Sequence, residues 1–219
     1  CMTKNNIIHL CLIITINTFY TVITNSYIQT DEIFYNFLTS NYPTEIATKI
    51  FKTTLSYKYL AYIISPLIIT LRTLILAIIL DTILTCESIY TTGTLPEKYK
   101  FSQFWRIFIY AEWSSVAFIT IKFCWFAFFD TDYDYIKLID YSPLSLYSLV
   151  NHNNLETWLV YPLKVCSLFE VLYLIITITM CKRELQANWT DCLFYIFLSY
   201  IVPLFIFMIF IMYINIYFI

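Results

Sequence analysis

The chain has 219 residues, of which 60% are hydrophobic and 13% are charged, whereas a typical soluble domain has roughly 25% charged residues. The formal net charge is -2 and no cluster of Lys and Arg is present, so a basic nucleic-acid-binding face is excluded. Glycine occurs once, at Gly93, which excludes the glycine-rich phosphate-binding loops of the Walker and dinucleotide types.

The first predicted element is an apolar helix over residues 7–28, which is long enough to cross a hydrocarbon core of about 30 Å. Lys4 precedes this apolar run, so an uncleaved signal anchor is the alternative interpretation. Threonine recurs at every third position from Thr15 to Thr24 and forms a polar stripe. We expect these hydroxyls to bond to backbone carbonyls of the preceding turn, and a stripe facing a pore or a partner helix is the alternative.

Residues 29–58 mix charged and aromatic side chains, and from residue 44 they show helical periodicity. The apolar positions are Ile46, Ile50, Phe51 and Leu55, and the charged ones are Glu45, Lys49 and Lys52. This pattern predicts a short amphipathic helix at the membrane interface. We therefore divide the chain into residues 1–58, a transmembrane segment or anchor with an interfacial segment, and a four-helix membrane domain over residues 59–219.

Four further spans are predicted, over residues 59–85, 104–129, 158–181 and 193–219. The second span contains Arg72 and Asp81, but its many Ile and Leu residues outweigh the cost of about +2.5 to +3.5 kcal/mol for each central charge. The last 28 residues carry no Asp, Glu, Lys or Arg. The sequence thus predicts an all-α integral membrane bundle of about five transmembrane helices.

No catalytic, cofactor-binding or metal-binding constellation stands out in the sequence. The seven cysteines contain no C-x-x-C pair, and we expect them to pack as small apolar side chains. The two histidines, His9 and His152, are far apart and neither has a second histidine at ligand spacing. We therefore expect no enzymatic activity, no cofactor and no metal site.

Six ionisable residues within the predicted spans are the strongest candidates for a functional role, because such residues are rare at membrane depth. They form a proposed intramembrane charged network of Arg72, Asp81, Glu112, Lys122, Lys164 and Glu170. The equal numbers of acids and bases favour ion pairs that join neighbouring helices. The alternative is a proton or ion path along the two glutamates and the two lysines.

The spacing of these charges predicts how they are oriented. Glu112 and Lys122 are ten residues apart, an offset of about 80° around a helix, so both can point inward. Arg72 and Asp81 are nine apart and point to opposite faces. We expect Glu112 and Lys122, together with the two charges of the fourth span, to face the interior of the bundle.

The distribution of basic residues between the loops predicts the orientation of the chain. If the first segment spans, one side receives the larger share, namely Lys4, Lys98, Lys100, Lys182 and Arg183. This slight bias favours an N-terminus on the inside and places the acidic loop 130–156 outside.

One family resemblance rests on motifs in the C-terminal two-thirds of the chain. They are the SPLSL loop at Ser142–Leu146, the LFEVLY core at Leu168–Tyr173 and the aromatic run KFCWFAFF at Lys122–Phe129. Over about residues 59–219 the chain resembles bacterial Yip-type integral membrane proteins. The resemblance implies a five-helix bundle without enzymatic chemistry. In eukaryotes, Yip relatives work in vesicle traffic as partners of small GTPases.

Two other function classes stay open. Twenty Tyr and nineteen Phe with abundant Ile, Asn and Thr are typical of AT-rich organellar genes, which encode accessory hydrophobic subunits of respiratory or ATP-synthase complexes. A small proton- or ion-coupled transporter is the third class.

We favour a Yip-like protein of the bacterial inner membrane, with the mitochondrial inner membrane as the alternative. Its expected partners are the lipid bilayer and other membrane proteins or a second copy of the chain, and no nucleic acid.

Overall fold

The apolar runs of the sequence are helical, because a backbone in lipid must satisfy its own hydrogen bonds. The computed structural model describes residues 4–92, 99–130, 133–150 and 155–218, so Gly93 lies outside the described residues. Within these ranges there is no named strand, and an isolated antiparallel bridge joins Ser145 to Ser167. The predicted all-α helical bundle is confirmed.

The described parts of the bundle contain ten α-helices, the 3-10 helix Leu146–Leu149 and two π-helical segments. The helices are α1 (Lys4–Tyr27), α2 (Thr30–Asn41), α3 (Thr44–Thr92), α4 (Phe101–Ala111), α5 (Trp113–Cys124), α6 (Tyr135–Asp140), α7 (Thr157–Val165), α8 (Leu168–Leu185), α9 (Trp189–Ile196) and α10 (Val202–Phe218). The π-helical segment Trp125–Phe129 follows α5, and the π-helical segment Phe197–Ile201 joins α9 to α10.

Four helical stretches are long and apolar enough to cross a membrane, so the chain is a helical membrane protein. They are Asn5–Tyr27, Tyr62–Thr91, Phe101–Phe129 and Trp189–Tyr217. Three of them correspond to the first, second and third predicted spans, and the last corresponds to the fifth.

Helix α3 differs from its prediction, because the short interfacial helix and the second span are one continuous helix of 49 residues. At 1.5 Å per residue it is about 73 Å long, more than twice the roughly 30 Å of a hydrocarbon core. Residues 44–61 therefore extend beyond the spanning part, and α2 packs against them. The predicted boundary between residues 58 and 59 lies inside this helix.

The predicted fourth span is interrupted, and it is not among the four stretches. Cys166 and Ser167 separate α7 from α8. The residues on either side of the break pair with the loop 142–149: the Leu146 N–H donates to the Cys166 carbonyl at 2.9 Å, and the Leu168 N–H donates to the Leu144 carbonyl at 2.9 Å. Such breaks are tolerated at membrane depth where protein replaces the missing helical bonds. The prediction of an unbroken helix was wrong because the hydrogen bonds that stabilise the break come from a separate loop, and the local sequence around Cys166 does not reveal them.

The helix ends define two faces of the bundle. We call the face with α2, α6 and the loop 142–149 the loop face, and the other the opposite face. At the opposite face Asn6 donates to the Ser102 carbonyl at 2.8 Å and accepts from Arg106 Nε at 2.8 Å. Arg106 Nη1 also lies 3.1 and 3.2 Å from the two carboxylate oxygens of Glu184. This network ties the starts of α1 and α4 to the end of α8.

The threonine stripe of α1 is bonded to its own backbone. Thr15, Thr18 and Thr21 donate to the carbonyls four residues earlier at 2.7, 2.9 and 2.9 Å. Because these hydroxyls already have backbone acceptors, the prediction of back-bonding is confirmed at these three positions.

The opposite-face network gives a stability prediction. Arg106→Met should lower the free energy of unfolding by about 3 kcal/mol, because it leaves the nearly buried Glu184 carboxylate without its counter-ion. Lys58→Met removes a more exposed pair with Asp31 and should cost less than about 1 kcal/mol. Unfolding in detergent, followed by circular dichroism, compares the two variants. Equal losses would show that the network does not hold the helix ends together.

Candidate functional site

Three helices depart from regular geometry near the middle of the bundle. α4 ends and α5 begins at a turn on Glu112. The π-helical segment Phe197–Ile201 lies just before Pro203, which has no N–H to donate to the preceding turn. α8 begins after the break at Ser167. Broken helices and π-helical segments within membrane helices are frequent at functional sites.

These irregular points meet at Arg72 of α3. Its Nε lies 3.7 Å from Glu112 Oε1, and its Nη2 donates to the Tyr200 hydroxyl at 2.8 Å. The Tyr200 hydroxyl in turn donates to the Glu170 carboxylate. One guanidinium is thus linked to two carboxylates from two other helices, directly to one and through a hydroxyl to the other.

Two tyrosine rings lie against the guanidinium of Arg72. The Arg72 Cζ atom lies 4.8 Å from the ring centre of Tyr173 and 5.8 Å from that of Tyr200. The two rings are stacked with centres 4.7 Å apart. A cation over an aromatic ring gains about 0.5 to 2 kcal/mol, and the gain rises as the cation loses contact with water. We call the five residues Arg72, Glu112, Glu170, Tyr173 and Tyr200 the Arg72 centre.

Burial is unequal across the Arg72 centre. Glu112 is 1% exposed, while the Arg72 side chain is 40% exposed. Within the described parts of the chain, Glu112 Oε1 and the Tyr173 hydroxyl have no hydrogen-bond partner. The charged form of the Glu112 carboxyl is stabilised by the charge of Arg72, because an unpaired charge at this depth is strongly unfavourable.

The exposed side of the Arg72 centre forms the floor of a cavity of about 550 Å³ between α3, α7 and α10. Arg72, Glu170 and Tyr200 provide polar groups to this floor. The walls are apolar and include Ile68, Leu71, Ile75, Leu204 and Phe207. Ile68, Leu71, Ile75 and Phe207 are also exposed on the outside of the bundle, so the cavity opens sideways toward lipid. We call it the lateral cavity.

The other three predicted network residues lie elsewhere. Lys164 bonds to Asp140 at 2.9 Å, and its ammonium group lies 4.9 Å from the ring centre of Tyr147. Lys122 is half-buried and interacts electrostatically with Lys164 and Asp140 rather than with Glu112. Asp81 is half-buried and belongs to neither group.

The structure therefore divides the six predicted residues into two groups and leaves one apart. Arg72, Glu112 and Glu170 meet in the middle of the bundle, while Lys122 and Lys164 lie near Asp140 toward the loop face. Glu112 is buried at the Arg72 centre, whereas Lys122, ten residues further along the same spanning stretch, is half-buried near Lys164 and Asp140.

Three members of these groups were not among the predicted site residues. Tyr173 lies three residues after Glu170, so helical spacing could have placed both on one face. Tyr200 lies three residues before Pro203, where a helix is expected to deform. Asp140 lies in a loop helix, and nothing in its sequence context indicates a partner.

Comparison with known proteins found no matching family model, no similar curated protein and no similar solved structure. The function is therefore inferred from the residues and their geometry.

The Arg72–Glu112 pair gives the second prediction. Arg72→Met should lower the free energy of unfolding by about 3 to 5 kcal/mol, because it leaves Glu112 buried without a counter-ion. The double variant Arg72→Met/Glu112→Met should recover at least half of this loss, since apolar side chains often replace a buried pair at little cost.

Unfolding in detergent measures both variants. Asp81→Asn is the matched control in the same helix and should change the free energy of unfolding by less than about 1 kcal/mol. If the double variant is as unstable as the sum of its two single variants, the two side chains are not energetically coupled.

Proposed function

We propose that the chain is a non-enzymatic multi-pass membrane protein that acts by binding another membrane component in its lateral cavity. The observation that carries this proposal is the position of the cavity. Its apolar walls lie on the outer surface of the spanning helices, and its charged floor lies within the bundle. A molecule that moves within the bilayer reaches such a cavity directly and can place a polar group against Arg72 or Glu170.

We further propose a Yip-like protein of the bacterial inner membrane, on the motifs that carry that resemblance. Within this class the protein acts alone or as a homo-oligomer. The alternative is an accessory subunit of a respiratory or ATP-synthase complex in the mitochondrial inner membrane, which the aromatic-rich and glycine-poor composition supports. Purification in a mild detergent distinguishes the two, because only the accessory subunit copurifies with a large assembly.

The third prediction tests binding at the lateral cavity. Ile75→Trp places a large ring in the cavity and should reduce the copurifying lipid or protein roughly tenfold, the change that corresponds to ~1.4 kcal/mol of binding free energy. Mass spectrometry of lipids and of proteins measures the loss. Ile63→Trp is the control, because Ile63 is exposed on the same helix but does not line the cavity. Equal retention in both variants would rule out the lateral cavity as the binding site.

A proton- or ion-coupled transporter is the second candidate function, and the interrupted helix favours it. Transporters place their coupling sites at broken helices near the middle of the bilayer. Here α8 begins inside the bundle, where Phe169 packs against Phe118 and Glu170 joins the Arg72 centre.

The fourth prediction belongs to this second candidate. Glu170→Gln should abolish proton-coupled flux in vesicles while leaving the folded protein intact, because the amide cannot exchange a proton at neutral pH. Glu32→Gln, an exposed glutamate of α2, is the control and should keep the flux of the unchanged protein. If no flux of any kind responds to Glu170→Gln, the transporter function is excluded.

A further inference from the structure

A second, smaller cavity lies on the loop-face side of the Arg72 centre. Its volume is about 160 Å³, and it lies between α5, α7 and α8. Its lining includes Arg72, Glu170 and Tyr173 of the Arg72 centre, the three serines Ser114, Ser115 and Ser167, and Lys164. We call it the loop-side cavity. Its lining is richer in hydroxyl groups than that of the lateral cavity.

The lysine end of this cavity reaches the loop face. Lys164 is bonded to Asp140, and the two side chains are 25% and 41% exposed. At ~30 Å³ for each water molecule, the cavity has room for about five. Serine hydroxyls can both donate and accept, so they continue a chain of hydrogen bonds from the loop face toward Glu170.

Charged side chains of both signs lie at the cavity. Lys164 lines it and bonds to Asp140. Arg72 and Glu170 line it as well, and Arg72 is the counter-ion of Glu112. A proton passed along hydrogen bonds needs neither a wide pore nor a shell of ligands.

Groups from five elements face the two carboxyls of the Arg72 centre. Arg72 comes from α3, Ser115 from α5, Tyr161 from α7, Tyr173 from α8 and Tyr200 from the π-helical segment. Toward the opposite face, the bundle is closed by buried apolar side chains. They include Leu80, Leu84, Phe104, Phe108 and Met180.

We propose that the loop-side cavity is a one-sided proton-access path to the two carboxyls of the Arg72 centre. A proton leaves a hydronium ion or a buffer acid at the loop face, passes along water and serine hydroxyls, and forms an O–H bond with a carboxylate oxygen of Glu170 or Glu112. Bonds to hydrogen are the only ones that change. This inference rests on the same residues as the second candidate function but requires no net flux.

The first test measures access by cysteine labelling. Ser115→Cys and Ser167→Cys are made in a chain whose native cysteines are serine, and a membrane-impermeant anionic thiosulfonate, which the Lys164 ammonium does not repel, is added to sealed vesicles. Asp140→Cys reports which side is the loop face. Both cavity cysteines should react from that side, roughly tenfold or more faster than the buried control Ser199→Cys, because only a thiolate in contact with water reacts.

Labelling from the opposite face alone, or rates no higher than that of Ser199→Cys, would overturn the proposal. Labelling from the loop face alone supports it, whether or not the vesicles show proton flux.

The second test keeps all native cysteines and therefore does not depend on the folding of the labelled variants. Infrared difference spectra of the reconstituted protein, recorded between high and low pH, should show the carboxylic acid C=O band of a buried group. Glu112→Gln or Glu170→Gln should remove that band, while Glu32→Gln should leave it unchanged.

After a pH jump, Ser167→Val should slow the growth of the band roughly tenfold without reducing its final amplitude, and the matched Ser199→Val should not slow it. A band that both glutamine variants retain, or growth that Ser167→Val does not slow, would overturn the proposal.

Discussion

The attraction between Arg72 and the buried Glu112 is the interaction on which the middle of the bundle depends. Neither charge is stable in a hydrocarbon environment alone, and at 3.7 Å each is the counter-ion of the other. Glu170 is the second acid of the same site and is reached through the Tyr200 hydroxyl. The pair therefore explains why three of the irregular backbone positions lie together in one layer. The turn at Glu112, the π-helical segment at Tyr200 and the break before Glu170 each bring a polar group to the same guanidinium.

The two cavities meet at this site from different sides. Arg72 and Glu170 line both the lateral cavity and the loop-side cavity. Any molecule that contacts these charges from the lipid side changes the electrostatic environment that a proton meets from the loop side. By thermodynamic linkage the effect is reciprocal: protonation of Glu170 must alter the affinity of the lateral cavity for a charged ligand by the same factor.

The sequence predicts the helical class and the spanning segments well, because length and apolar composition determine whether a helix can exist in lipid. It does not predict the break at Ser167, since that break is stabilised by hydrogen bonds from the loop 142–149. The continuity of α3 was also missed, because the change from amphipathic to apolar composition near residue 58 does not interrupt the helical backbone.

The candidate site was predicted in part for a similar reason. Composition identifies which residues are ionisable at membrane depth, and three of the six do form one centre. Which of them meet depends on how each helix is rotated, and that rotation is set by packing between distant segments. Lys122 illustrates the limit, because ten residues of helix place it about 15 Å along the axis from Glu112, where its neighbours are Lys164 and Asp140.

The order of the Arg72 centre along the chain has a consequence for biosynthesis. Arg72 leaves the ribosome 40 residues before Glu112 and 128 residues before Tyr200. At about 5 to 20 residues per second, the arginine waits roughly 2 to 8 seconds for its first counter-ion. During that interval the apolar residues of α3 alone must hold the charge in or near the bilayer. The helix is therefore made before its partners, and Arg72 gains its counter-ion only when the later helices are present.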